Sequence, residues 1–590
     1  MIFKYKQYII CLYFLFHFFF GQNIFAKEPE TIERAIERVI VVAPQFFNNS
    51  IQKWIKYRNS QGYNIILINP NETNSPQQIR EQIITAATNC RVIAILIVGN
   101  AVVRCDSDRG RIIPSPRLPC RVINKIANDP HLASDDWYAD FDKDNRANCP
   151  VGRFPVGDTE SLDMLIQKTI RYETEIKPDL WCRQFQIVAG VGNFSPLVDP
   201  VIESAARYVF TKHLPSSYEI SFLHANWRSP FCPSPLDIRN EYIATLNRAP
   251  MFWIYIGHGQ HRALEPLATP QGKIKTLEDD SENQNNFPIL NCENSLPVVM
   301  LLSCYGGTLD AKTKSTAEEL LLQKNGAIAV VATSRTSMPY ALAVFGTECL
   351  NEFLNRQNKP EKLLLGSIIF EAKKRMLKIV NDPETKNTEA KNIESKNAEA
   401  KTELNFENQK NFRHNLENIA KWFDPVPSKL DIQLEEHVEQ IHFFGDPLLL
   451  TPKSIPITIN TEPKIKAGEK LKIKGKINHE QIPIFRNDKY DFTGMNILID
   501  ISILPDRFSL RSIRREKNLT CNAATRQEDN DEYKLANQHV IARYIVPVAP
   551  NGIFETQIPT PKNLHGKYLI RTFCKLPKNY AIGSTIIFLQ

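Results

Sequence analysis

Beyond its first residues this chain has no apolar run near the twenty residues that a membrane helix needs. It also lacks a compact Lys/Arg run interleaved with aromatics, the footprint of a nucleic-acid face. The charge is close to balanced: 72 Lys and Arg against 65 Asp and Glu leave a net +7 spread along 590 residues. Such an excess bears on solubility rather than on partner choice, and no nucleic-acid partner is expected. There is no CxxC pair and no Cys/His cluster at zinc spacing. What is present is ordinary: 43% hydrophobic and 23% charged residues, enough to bury a core and unlike a collagen or a wholly disordered chain. The length suggests about three to five domains.

The N-terminus reads as a secretory signal over residues 1–26. Met1 to Lys6 is a short basic start, Tyr8 to Phe20 is almost wholly apolar, and Ala26 is the expected last residue before cleavage. The rival is an uncleaved anchor, because Ile24 is bulky for a recognition position; the apolar stretch is nevertheless short for a span. The expectation is export, to the medium, the periplasm or the cell surface, with no membrane span beyond the signal. Of twelve cysteines, Cys11 lies in the signal and an odd set remains. Export permits pairing, and an odd remainder leaves at least one free thiol. Cys521 and Cys574 share the last domain and could pair.

From Arg38 onward, buried-strand runs alternate with helix-period stretches. Val39–Ala43, Tyr63–Ile68 and Val92–Val98 are strands, and Ser75-Pro76 opens a helix with a capping serine and proline at the first helical position. A second unit contains Phe185–Ala189, Met251–Ile256, Pro297–Leu302 and Ala327–Ala332 and closes near Phe443–Leu448. Strands apolar on both faces and separated by helices imply a covered parallel sheet. A low-complexity insert over 382–415 offers almost no apolar face and reads as a mobile loop or an exposed charged helix. After Pro452 the period becomes two, as in Lys470-Leu-Lys-Ile-Lys474, which predicts an antiparallel β-sandwich of immunoglobulin type over 453–590. The fold class is therefore α/β followed by a β-sandwich, with an N-terminal α/β subdomain over 27–175 and a second over 176–452.

Two strand ends carry the chemistry. Met251–Ile256 stops at Gly257-His258-Gly259, and Pro297–Leu302 stops at Ser303-Cys304-Tyr305-Gly306-Gly307. Residues just past the carboxyl ends of parallel strands face the crevice where ligands bind. A thiol and an imidazole there suit acyl transfer: imidazole takes the thiol proton, and the thiolate is the nucleophile. The N–H groups of Gly259 and Cys304 are candidates for an oxyanion hole. His261 is a rival base, and His442 is more readily structural.

These two motifs resemble the histidine and cysteine motifs of gingipain-type cysteine peptidases. Ala133-Ser-Asp-Asp-Trp-Tyr-Ala-Asp140, Val151-Gly-Arg-Phe-Pro155 and Gly445-Asp-Pro447 are similar to further segments of that family. The resemblance covers roughly Ile40 to Pro452. It implies a caspase-like fold and an endopeptidase acting on proteins or peptides, with Cys304 as nucleophile, His258 as proton shuttle and no cofactor for the chemistry. One departure is that Val191 stands where the family has a glutamate that holds the histidine. By a gapped match Asp199, with Glu203 one turn later, is the candidate for binding Arg or Lys at P1; as the residue before Pro200 it equally suits a helix cap. Asp140, Asp142 and Asp144 alternate in a tight loop, as ligands for Ca²⁺ do, and an exposed acidic turn is the plainer reading. Two rival functions share the scaffold: a sortase-like transpeptidase attaching secreted proteins to the cell surface, and an inactive peptidase fold serving as a surface binding protein.

Overall fold

The computed structural model describes residues 36–190, 214–278, 287–357, 359–377, 413–418, 420–421, 424–479, 491–504 and 525–590. The expected signal over residues 1–26, Val191, Asp199, Glu203, Cys521 and residues 378–412 lie outside these. Residues 413–415, expected at the end of the insert, are helical, and Arg413 donates to the carbonyl oxygen of Arg375.

Among the described residues ten strands form one sheet: β1 Ile36–Val42, β2 Ile65–Ile68, β3 Cys90–Val98, β4 Val151–Phe154, β5 Gln184–Ala189, β6 Glu219–His224, β7 Phe252–Ile256, β8 Val298–Leu302, β9 Ala329–Thr333 and β10 Ile441–Phe444. Their spatial order is β2-β1-β3-β4-β10-β9-β8-β7-β5-β6. The apolar runs Val298–Leu302 and Ala329–Thr333 are buried along their whole length, as are β4 and β10 despite Arg153 and His442, while the apolar β2 at the sheet edge is only half-buried. The helix Pro76–Ala87 starts as its sequence predicts: Ser75 Oγ accepts from the Gln78 amide, the Ser75 amide donates to Gln78 Oε1, and Pro76 follows.

Counted from its own first strand, the first half has the strand order 2-1-3-4, and the second, up to β9, has 2-1-3-4-5. Pairing is parallel throughout except between β9 and β10, where Val330 faces Phe444 in antiparallel register. The two halves therefore share one sheet and run in opposite directions, and β10 joins them by lying parallel to β4 and antiparallel to β9. An all-parallel sheet was the expectation; this one reversal is the difference.

The join is held by buried charge. Arg153 of β4 donates to both oxygens of Asp135, at 2.6 and 2.7 Å, and to the carbonyl oxygens of Gly99 and Ile113. Lys373 pairs with Asp136 at 2.7 Å. Just past β10, Asp446 accepts from Arg58 and from the indole of Trp54, and Arg58 also pairs with Glu173 at 2.9 Å. A Cβ on Gly152 would sit 2.6 Å from the Gly445 carbonyl oxygen, so only glycine allows that approach. The three segments with family-like sequence beyond the Cys/His pair thus meet at this join.

Among the described residues from Ser454 to Leu589, eight strands enclose a separate apolar core that includes Ile473, Ile499, Ile570 and Ile587. Most pairs are antiparallel; Ser454–Thr461 and Lys464–Ile465 run parallel to Tyr580–Leu589. The helix Arg526–Asn537 reaches back to the large sheet. Asn537 both donates to and accepts from the backbone of Phe222, capping part of the edge strand β6 that would otherwise invite another chain. Ten cysteines lie among the described residues and all are free thiols, including the buried Cys574.

Candidate active site

In parallel register Leu302 of β8 pairs with Ile256 of β7. Cys304 and His258 each lie two residues beyond that pair, on neighbouring loops at the same edge of the sheet. The position is also special topologically. From β5 the chain goes outward to β6 and then returns to β7 on the other side, so the direction of winding switches between β5 and β7. A crevice at the carboxyl ends of strands forms at such a switch. Two glycines line it: a Cβ on Gly190 would lie 3.2 Å from Gly257 Cα and 2.7 Å from Glu265 Oε2.

The His258 loop is tied by its main chain. Its carbonyl oxygen accepts from the Tyr255 hydroxyl at 2.7 Å and from the Glu265 amide at 3.2 Å. A Cβ on Gly259 would lie 2.6 Å from Ser303 Oγ and 2.7 Å from the Cys304 carbonyl oxygen. The backbone of Gly259 therefore rests directly against the Cys304 loop.

Cys304 is half-buried. The Ser337 amide donates to its sulfur at 3.2 Å, and the thiol faces the Ser337 carbonyl oxygen at 3.7 Å. Burial pushes the thiol above its ordinary pKa, the Ser337 amide pulls it back, and the nearby charge of Asp129 pushes it up again. Burial and Asp129 thus disfavour the thiolate, so nucleophilic use of Cys304 calls for a base that takes its proton. Segment 334–338, which presents Ser337, is fixed from the helix Leu430–Gln440. Gln440 Oε1 accepts from the Arg335 amide, Gln440 Nε2 donates to the Thr336 carbonyl, and the Met338 amide donates to His437 Nε2 at 2.8 Å.

The other histidines have separate engagements. His261 Nε2 lies 2.9 Å from Thr313 Oγ1 and 3.1 Å from the Thr313 carbonyl oxygen, and burial holds its pKa below the usual imidazole range. His442 is buried in β10 with Nε2 3.0 Å from the Ala133 carbonyl oxygen; burial lowers its pKa to about 4.

The carboxylates of Asp140, Asp142 and Asp144 come within 4.8 Å of one another. Asp140 is the buried member; its carboxylate oxygens already accept from the amides of Asp144 and Asn145, and it forms an ion pair with Arg80 at 2.7 Å. Arg80 and the loop's own amides thus supply the charge and the donors that a bound cation would otherwise have to match. Asp199 falls outside the described residues.

The sequence reading did not single out Asp129, Thr336 or Ser337. All three approach the Cys304 loop from segments remote in sequence, so no local pattern marks them. Tyr305 was visible only as a member of the cysteine motif.

A family model for peptidase family C25 matches residues 33–451. No curated protein matches the chain. Among solved structures the chain is similar to the Arg-specific cysteine proteinase gingipain R, at 14% identity with a TM-score of 0.47, over 95% of this chain and 99% of that one. It is similar to the complex of the pro- and mature domains of RgpB from Porphyromonas gingivalis, at 14% identity and a TM-score of 0.47, over 94% and 100%. It is also similar to dimeric latent PorU from the same organism, at 12% identity and a TM-score of 0.31, over 94% of this chain and 43% of that one. With the family model matching well over half its length, the chain belongs to peptidase family C25, the gingipain family of cysteine peptidases.

Proposed function

We propose that the chain is an exported endopeptidase working through a dyad of Cys304 and His258. The observation that supports it best is the parallel register that sets both residues two positions beyond a paired Leu302 and Ile256. His258 takes the thiol proton, and the Cys304 sulfur attacks the scissile carbonyl carbon. The resulting oxyanion sits against the N–H groups of Gly259 and Cys304, where one donor is typically worth about 2.7–4 kcal/mol. As the tetrahedral species collapses, the peptide C–N bond breaks and the imidazolium gives its proton to the departing amine. His258 then removes a proton from water, which attacks the thioester carbonyl and releases the acid and the thiol. With Val191 in place of a histidine-holding glutamate, the bonds from Tyr255 and Glu265 to the His258 carbonyl are the supports on which this reading relies.

The finer features belong to the same proposal: a caspase-like subdomain over 176–452 after an α/β subdomain over 27–175, an immunoglobulin-type sandwich over 453–590, and export directed by residues 1–26. The test of function is a P1-diverse fluorogenic peptide library with and without an added amine acceptor. Cleavage blocked by iodoacetamide is the expected result. Capture of the amine in place of water would make the protein a transpeptidase, and silence from folded protein would leave a binding protein on a peptidase scaffold. Asp199→Ala is expected to weaken cleavage after Arg and Lys at least tenfold more than cleavage elsewhere, about the worth of one charge-assisted bond. Equal loss on all substrates removes Asp199 from P1 recognition.

Calcium at Asp140, Asp142 and Asp144 makes a separate, structural prediction. If an ion adds to the Arg80 arrangement, chelation lowers the thermal midpoint by about 1–2 °C, roughly the effect of 1–2 kcal/mol on a protein of this size. An unchanged midpoint removes the ion from the account.

A further inference from the structure

Directly after Cys304, Tyr305 has φ +57°, in the left-handed region. For a bulky L-residue that conformation costs roughly 1–2 kcal/mol, so something must hold it. The holder is visible. The Tyr305 hydroxyl donates to Asp129 Oδ2 at 2.6 Å, and the Thr336 hydroxyl lies 2.9 Å from the Tyr305 oxygen and 3.2 Å from the same Asp129 oxygen. Three side chains close a triangle beside Cys304. The Tyr305 amide also donates to the Arg335 carbonyl at 3.2 Å, fastening the loop at its other end.

Asp129 is a fixed post. The Pro130 carbonyl accepts from the Cys120 amide at 3.0 Å, the His131 carbonyl accepts from Arg335 Nε at 2.8 Å, and residues 131–133 pair with 117–119 in a small hairpin. Among the described residues no Lys or Arg forms an ion pair with Asp129; its hydrogen bonds go to the two hydroxyls. Its charge, moreover, opposes ionisation of Cys304. A carboxylate that works against thiolate formation is not there to activate the thiol electrostatically, which leaves geometry as its contribution.

We propose that Asp129 is a positioning residue for the nucleophile: through Tyr305 and Thr336 it holds the backbone turn that aims Cys304 and its amide at the substrate carbonyl. This rests on the reading of Cys304 as the nucleophile. Without the clamp Tyr305 relaxes toward negative φ and carries the neighbouring Cys304 backbone with it, and misplacement by about 1 Å is enough to cost on the order of a hundredfold in rate.

The test compares Tyr305→Phe, Asp129→Ala, Asp129→Asn and Cys304→Ala in the full chain, with kcat and KM measured separately. Tyr305→Phe and Asp129→Ala are each expected to lower kcat at least tenfold with KM within about twofold, and the double variant to be no worse than either alone, because both remove one linkage. Asp129→Asn keeps an oxygen that accepts the tyrosine hydroxyl and is expected to recover kcat to within about threefold of wild type. Should Asp129→Ala fail to fold, Tyr305→Phe, which deletes one atom, decides the matter. Wild-type kcat in Tyr305→Phe, or Asp129→Asn as poor as Asp129→Ala, overturns the clamp while leaving the nucleophile intact. Full turnover in Cys304→Ala overturns the nucleophile, and the clamp with it.

Discussion

Cys304→Ala is expected to reduce turnover by at least about a thousandfold, since without its nucleophile an enzyme of this kind retains only what binding and the oxyanion donors supply. The same substitution is expected to move the thermal midpoint by no more than about 2 °C. Cys304 is only half-buried, and among the described residues its sulfur is hydrogen-bonded by the Ser337 backbone, which holds it less firmly than the packing around a core side chain would. Activity and melting must be read together. A loss of several degrees alongside the loss of activity would assign the thiol to the core rather than to the chemistry. A pH series adds a sign: because burial raises the thiol pKa, alkylation of Cys304 is expected to keep accelerating through and beyond the ordinary thiol range. A plateau near neutrality would mean that Cys304 rests as an ion pair with His258.

Asp135→Ala is expected to be the most destabilising single change among the buried charges. It strands the guanidinium of Arg153 at the join between the two halves of the sheet, with only the Gly99 and Ile113 carbonyls left as partners. Removing one partner of a buried pair typically costs about 3–5 kcal/mol, roughly 2–4 °C in a protein of this size. Burial alone would raise the Asp135 pKa, but Arg153 more than offsets it and holds the carboxyl below its usual range. A depressed carboxylate contributes stability that is fully present above the unfolded-state value of about 3.9 and is lost as pH falls through the folded-state value. The loss in Asp135→Ala should therefore be complete at pH 7 and shrink in strong acid. Replacing both residues by apolar ones of similar volume is expected to recover most of the stability. A double replacement as unstable as the single would place the effect in packing, not charge.

How much of this was legible depends on the range of each interaction. Val298–Leu302 and Phe252–Ile256 announce themselves because strands covered on both faces are apolar at every position, and glycine punctuation marks where they end. That is why His258 and Cys304 could be singled out and why their placement on adjacent loops was expected. Asp129 could not be found this way, since it lies 176 residues before the hydroxyl it holds. The acidic loop shows the same limit from the other side: the alternation of Asp140, Asp142 and Asp144 is local and legible, whereas Arg80, which pairs with Asp140, comes from the helix Pro76–Ala87 and left no mark in that pattern. The merging of two α/β units into one sheet was equally hidden, because Ile441–Phe444 looks like the end of the second unit and nothing in its four residues names β4 as a neighbour.

That last strand has a consequence for how the protein is made. β10 is the final strand of the large sheet in sequence, yet it occupies the middle in space. Until residue 444 has left the ribosome, β4 and β9 each present an unpaired edge, buried in the finished protein but open in the nascent one. The nascent chain must carry these two sticky borders through the synthesis of more than a hundred residues after β9 is complete. Such late, long-range closure is slow and exposes the chain to mispairing. A chain stopped before β10 would leave two half-sheets facing each other with nothing between them, which makes β10 the keystone of assembly as well as the seam of the fold.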